Sequence, residues 1–148
     1  MAMKSIIIMA SVHHGNTKKV IDAIAKEFPV ELVDATKIKE KDLSEYDLIG
    51  FASGQYFAKF HKSIIDFASA NLPANKKVFL LTTYGGSAIW KSLEDVVGQK
   101  QSEVVGKFGC KGYDTFGPFK LVGGIAKGHP NAKDLSDAVE FYKGLIKK

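Results

Sequence analysis

The residues best placed to do chemistry are Ser11-Val12-His13-His14-Gly15-Asn16-Thr17. They lie between an apolar run, Ile6 to Ala10, and a helical pattern that starts at Thr17. The expected order is strand, tight polar loop, helix N-terminus. The first N–H groups of a helix have no internal acceptor, and the aligned peptide dipoles place partial positive charge there. An end of this kind accepts a phosphate. The chain is expected to hold a phosphorylated ligand through this loop.

Two later segments also follow apolar runs. Ser53-Gly54-Gln55-Tyr56-Phe57-Ala58 is one, and Thr82-Thr83-Tyr84-Gly85-Gly86-Ser87 is the other. Both are read as loops after strand ends. They offer glycine backbone, which tolerates the angles needed for close approach, and aromatic rings. A ligand with a phosphate at one end and a flat heterocycle at the other fits the three segments together. Tyr56 or Phe57, with Tyr84, would flank the heterocycle, while Trp90 is assigned equally to packing and to ligand.

Other reactive residue types form no pattern. Adjacent side chains rarely turn to one ion, so His13 and His14 are not read as a metal pair. His61 and His129 are read as surface or helix-end residues. Cys110 falls in a run expected to be a central strand, where a small buried hydrophobe is the default. No nucleophile elbow, Walker lysine motif or spaced pair of catalytic carboxylates occurs.

The elements that must position these residues follow from periodicity. Apolar runs occur at Ser5 to Ala10, Val30 to Asp34, Leu48 to Ser53, Val78 to Thr83 and Val104 to Cys110. Those at Ile6, Leu48 and Val78 are nearly continuous, as in strands covered on both faces. Helical faces alternate with them: Val20, Ile21, Ile24 and Phe28; Ile64, Ile65, Phe67 and Ala68; Ile89, Leu93, Val96 and Val97; and Leu135 to Ile146. Asn131, with Asp134 three residues on, reads as the cap of the last helix. Thr36 to Tyr46 is mostly polar and allows one helical turn. Gly112 to Pro130 is long for a structureless loop and is read as a wrap across the sheet edge or as part of the pocket. Alternating strands and helices imply an α/β fold with an open, doubly wound, five-stranded parallel sheet, order 2-1-3-4-5.

Composition narrows the partners. The chain has 148 residues, enough for one domain over residues 1–148 with a real core. Its net charge is +5, and every basic residue is a lysine. The lysines are spread along the chain, without arginine forks or a dense basic block, so nucleic acid is not the expected partner. No run reaches the ~20 apolar residues of a membrane span. The single cysteine precludes an internal disulfide. The opening residues leave no room for a signal peptide before the first strand, and a cytoplasmic location is expected.

The stretch His14-Gly15-Asn16-Thr17 after the first strand resembles the Ser/Thr-x-Thr-Gly-Asn-Thr phosphate loop of the flavodoxin family. Val12 and His14 stand where that loop carries Ser or Thr. Ser53 to His61 is similar to the second flavin loop of the small flavodoxin-domain proteins related to quinone-dependent protoporphyrinogen oxidase. The resemblance implies a flavodoxin-like domain that binds FMN and transfers electrons. The cofactor-binding set is Ser11, Val12, His13, His14, Gly15, Asn16, Thr17, Ser53, Gly54, Gln55, Tyr56, Phe57, Thr83, Tyr84, Gly85 and Gly86. No catalytic residue and no metal ligand are assigned. Flavodoxins are typically acidic and this chain is basic, so the expected redox partner protein is acidic. Two alternatives stay open. One is an FMN-dependent oxidoreductase acting on a quinone or porphyrinogen. The other is a flavin-free regulatory or binding module.

Overall fold

The computed structural model describes residues 3–10, 15–56, 59–112 and 128–147. In chain order the elements are β1 (Ser5–Ala10), α1 (Asn16–Glu27), β2 (Glu31–Asp34), β3 (Leu48–Tyr56), β4 (Lys59–Phe60), α2 (Lys62–Asn71), β5 (Lys77–Tyr84), α3 (Lys91–Gln99), β6 (Glu103–Lys111) and α4 (Ala132–Ile146). The parallel sheet runs β2-β1-β3-β5-β6. This is the expected winding, with one addition. The short strand β4 pairs antiparallel with β3, Gln55 opposite Phe60 and Tyr56 opposite Lys59.

The strands expected from apolar runs are present, and their physical reason is visible in burial. All of β1 is buried. Its residues alternate between two cores, as side chains of a strand must. Ile6, Ile8, Phe51, Val78 and Leu80 pack with Ile64, Phe67, Leu93 and Val97 of α2 and α3. Ile7, Met9, Ala52, Phe79 and Leu81 pack with Val20, Ile21, Ile24 and Tyr142 of α1 and α4. Helices cover both faces of the sheet, which is why its central strands read as unbroken apolar runs. Gly50 makes room for this packing, since a Cβ there would lie 2.2 Å from the Phe79 ring.

Several expectations are corrected. Segment 54–56 is not a loop but the end of β3, drawn on by the hairpin with β4. Tyr84 is likewise the last residue of β5. The polar stretch after β2 is in line with its reading: it forms a single hydrogen-bonded turn, with Lys37 and Ile38 N–H donating to the Asp34 carbonyl. Ile89 precedes α3 and is exposed, so it does not belong to that helix's apolar face. Strand β6, which carries Cys110, lies at an edge of the described sheet and not at its centre. The cap of α4 is as expected. The Asn131 side chain accepts from Asp134 N–H, and the Asp134 side chain accepts from Asn131 N–H. Most of the segment from Gly112 to Pro130 lies outside the described residues.

Candidate functional site

All five parallel strands end at one edge of the sheet, and α1, α2, α3 and α4 begin there. Among the described residues the buried polar side chains are Ser5, Asn16, Thr17, Ser53, Ser63, Thr82 and Thr83. All but Ser5 and Ser63 sit at the carboxyl ends of β3 and β5 or in the first turn of α1, and Ser63 lies in the first turn of α2. A core that excludes polar groups elsewhere concentrates them here.

The first turn of α1 is shaped by Gly15, its N-cap. Gly15 has φ 65°, the left-handed region that glycine enters without a Cβ clash. Gly15 has no side chain with which to cap the helix, so the N-cap position itself satisfies none of the first N–H groups. Thr17 and Thr83 join α1 to β5 through hydroxyls 2.9 Å apart, both residues almost fully buried. Asn16 is buried against Gly112 at the end of β6, where an added Cβ would come 2.7 Å from the Asn16 Nδ2. Gly112 N–H donates to the Tyr84 carbonyl, which holds the ends of β5 and β6 together.

A second network lies at the end of β3. The Ser53 hydroxyl donates to the Gly54 carbonyl and accepts from His61 N–H, at 2.8 and 2.9 Å. His61 is the N-cap of α2, and its Nδ1 accepts from Ser63 N–H. Burial holds the His61 imidazole below its ordinary pKa; Lys39 lowers it further, and Asp34 partly opposes this. The His61 ring meets Tyr56 edge to face at 5.3 Å. Across the strands, the Thr82 hydroxyl donates to the Ser53 carbonyl and accepts from Gln55 Nε2, each at 2.8 Å. Gln55 Oε1 is buried without a hydrogen-bond partner.

The structure thus brings together Gly15, Asn16, Thr17, Ser53, Gly54, Gln55, Tyr56, Thr83, Tyr84, Gly85 and Gly86 along one edge. Ser11, Val12, His13, His14 and Phe57 lie outside the described residues. Gly54 pairs with Thr83 inside the sheet and its φ is not left-handed, so backbone freedom is not its reason for being glycine. A Cβ there would rest against Tyr56 at ordinary contact distance, 3.5 Å from its hydroxyl and 3.6 Å from its ring. The Tyr84 ring lies over Gly109, near Ala88. Trp90 packs against the Phe60 side of the core, ring centres 6.2 Å apart, and is a packing residue at the start of α3. Thr82 and His61 were not assigned to the site from sequence. His61, directly after the hairpin, carried a readable signal as a helix cap, whereas the role of Thr82 depends on cross-strand register.

Two other places carry no such arrangement. Cys110 is buried, and desolvation pushes its thiol up to about 12. It stays protonated and unreactive at neutral pH. At the opposite edge, a groove of about 650 Å³ is lined by Met3, Lys4, Ser5, Pro29, Val30, Glu31 and Tyr46. Two of its polar side chains pair with each other. The Tyr46 hydroxyl donates to Glu31 at 2.6 Å, and Lys41 pairs with Glu31 at 3.1 Å. Among the described residues no group of three or more metal-ligating side chains occurs.

Comparison with known proteins agrees with this architecture. The family pattern of the flavodoxin domain matches residues 6–105. An uncharacterized protein of Methanocaldococcus jannaschii is 43% identical over 149 residues, covering 98% of this chain and 99% of its own length. Two solved structures share the fold at low identity. A flavodoxin from the domain Archaea has a TM-score of 0.69 at 20% identity, covering 98% of this chain and 97% of that one. The oxidised flavodoxin 2 of Bacillus cereus has a TM-score of 0.70 at 17% identity, covering 97% and 98%. With the winding, the carboxyl-edge cluster and the family pattern in agreement, the chain belongs to the flavodoxin family.

Proposed function

We propose that residues 1–148 act as a single domain that binds FMN non-covalently at this carboxyl edge and carries electrons between redox partners in the cytoplasm. The observation that supports it best is the concentration of buried polar side chains at that edge in a chain of this family. The parts suit the cofactor's two ends. The first turn of α1, entered through the left-handed Gly15, offers backbone N–H groups and the helix dipole to a phosphate, with Gly15, Asn16 and Thr17 and the preceding Ser11 to His14 as its grip. Tyr56 and Tyr84 stand on neighbouring strands whose alternation sends them to opposite faces, an arrangement suited to bracketing a flat ring. Phe57, Ser53, Gly54, Thr83, Gly85 and Gly86 belong to the same set. Gln55 Oε1, buried without a donor, suits a ligand that brings an N–H group.

When bound, FMN supplies one- or two-electron chemistry. The chain's own contribution is to grip the phosphate, hold the ring at the strand ends and limit water there. The partner chemistry follows from charge. Lysines head the first turns of α2, α3 and α4: Lys62, Lys91 and Lys133, each about four-fifths exposed and paired with an aspartate one turn further in. Lys59 and Lys111 are exposed at the same edge. The ammonium ends crown the edge and suit an acidic partner.

The test is the visible spectrum of the purified protein, followed by turnover with NAD(P)H and a quinone. Bound flavin without turnover is the expected result. Turnover with quinone makes the protein an oxidoreductase instead, and a colourless protein that takes up no added FMN makes it a flavin-free module.

A further inference from the structure

We propose that the side-chain oxygen of Gln55 is an acceptor reserved for an N–H group of the flavin ring, an inference that rests on the FMN reading above. The amide's orientation follows from its neighbours. A threonine hydroxyl has one proton, and that of Thr82 goes to the Ser53 carbonyl, which can only accept. What approaches the Thr82 oxygen from Gln55 at 2.8 Å is therefore the NH₂ group. The oxygen Oε1 is left on the other side of the amide, buried and without a partner. Buried acceptors nearly always find a donor, because leaving one unmade costs more than a typical hydrogen bond gains. Ser53, two residues back on the same face of β3, has its hydroxyl engaged with His61 and Gly54 and supplies no donor. An acceptor without a donor, on the last turn of strand before the β3–β4 hairpin, is placed where the ring is expected.

The ligand chemistry is selective. The oxidised flavin ring offers a single N–H, at N3, and reduction adds one at N5; the rest of its polar edge accepts. An acceptor side chain there selects an N–H over a carbonyl. Oε1 is shielded from solvent, so the Gln55 side chain shifts to admit the donor. Free energy withheld in the empty protein is then recovered on binding.

Gln55→Met keeps length and removes both hydrogen-bonding groups; Gln55→Leu serves if the methionine variant does not fold. FMN affinity, the flavin potential and denaturant stability of the flavin-free protein are measured on wild type and variant. The expected result has opposite signs. The flavin-free variant is no less stable than wild type, and the bound ring loses roughly tenfold in affinity, the scale of one hydrogen bond. A loss for oxidised and reduced FMN alike, with the potential unchanged, assigns the partner as N3–H. A loss confined to reduced FMN, seen as a more negative potential, assigns it as N5–H. A destabilised variant with affinity and potential both unchanged overturns the proposal and leaves Gln55 a clamp on Thr82. Wild-type protein that binds no FMN overturns the flavin reading itself, before any variant is made.

Discussion

Thr17 and Thr83 tie α1 to β5 at the proposed ligand edge. Both residues are almost fully buried and their oxygens are 2.9 Å apart. Thr17→Ala leaves the Thr83 hydroxyl in the interior without this partner, at a cost of about 1–3 kcal/mol. Thr17→Ala therefore lowers the stability of the flavin-free protein as well as its affinity for FMN, whereas Thr17→Ser keeps most of both. Denaturant melts and FMN titrations of the two variants check this, and wild-type stability and affinity in Thr17→Ala would refute it. His61 sets a pH dependence. Burial lowers its pKa in the folded chain, so the unfolded chain takes the proton first. Its contribution is fully present above the ordinary histidine value of about 6.5 and is lost as pH falls below it. Protonation also removes the Nδ1 acceptor that caps α2. Stability compared at pH 7.5 and 5.5 should fall, and His61→Asn, a neutral cap, should flatten that fall. An unchanged slope in the variant would move the pH sensitivity elsewhere.

At the scale of elements, the hairpin explains what was and was not legible in the chain. The buried strands β1, β3 and β5 were readable because both faces are covered, leaving apolar runs. The extension of β3 through Tyr56 was not. Ser53-Gly54-Gln55-Tyr56 has the composition of a loop, and only tertiary pairing with Lys59 and Phe60 makes it a strand. Gln55 was nevertheless placed at the site from sequence, while its contact with Thr82 depends on the register Ser53 to Thr82. The single turn allowed in the polar stretch after β2 begins at Asp34, whose side chain accepts from both the Thr36 N–H and hydroxyl. The α1 start was legible in kind, since a polar loop after an apolar run leads into the helical pattern from Thr17, whereas the left-handed Gly15 is seen only in the structure. Gly15→Ala strains that entry by about 1–2 kcal/mol. A lower melting temperature and weaker FMN binding are expected from this variant, and an unchanged protein by both measures would show that the turn does not depend on the glycine.

At the scale of the whole molecule, charge is the property that bears most on the choice of partner. Its net charge is +5, and Lys59, Lys62, Lys91 and Lys111 stand at the carboxyl edge. Screening reduces such fields beyond about 8–10 Å at physiological salt. The couple that forms the fully reduced, negatively charged flavin should be modestly less negative than in an acidic family member. Reduction by an acidic electron-donor protein should outpace reduction by a basic one and slow as salt rises. A very negative couple with preference for a basic donor would show that local contacts outweigh the charge of the chain. The most direct test of the account is equilibrium titration of flavin-free protein with FMN and, separately, with riboflavin, which lacks the phosphate. The account predicts one FMN per chain and at least about tenfold weaker binding of riboflavin, because charge-assisted bonds at the α1 N-terminus are lost. Equal affinity for the two, or no binding of FMN, would contradict it.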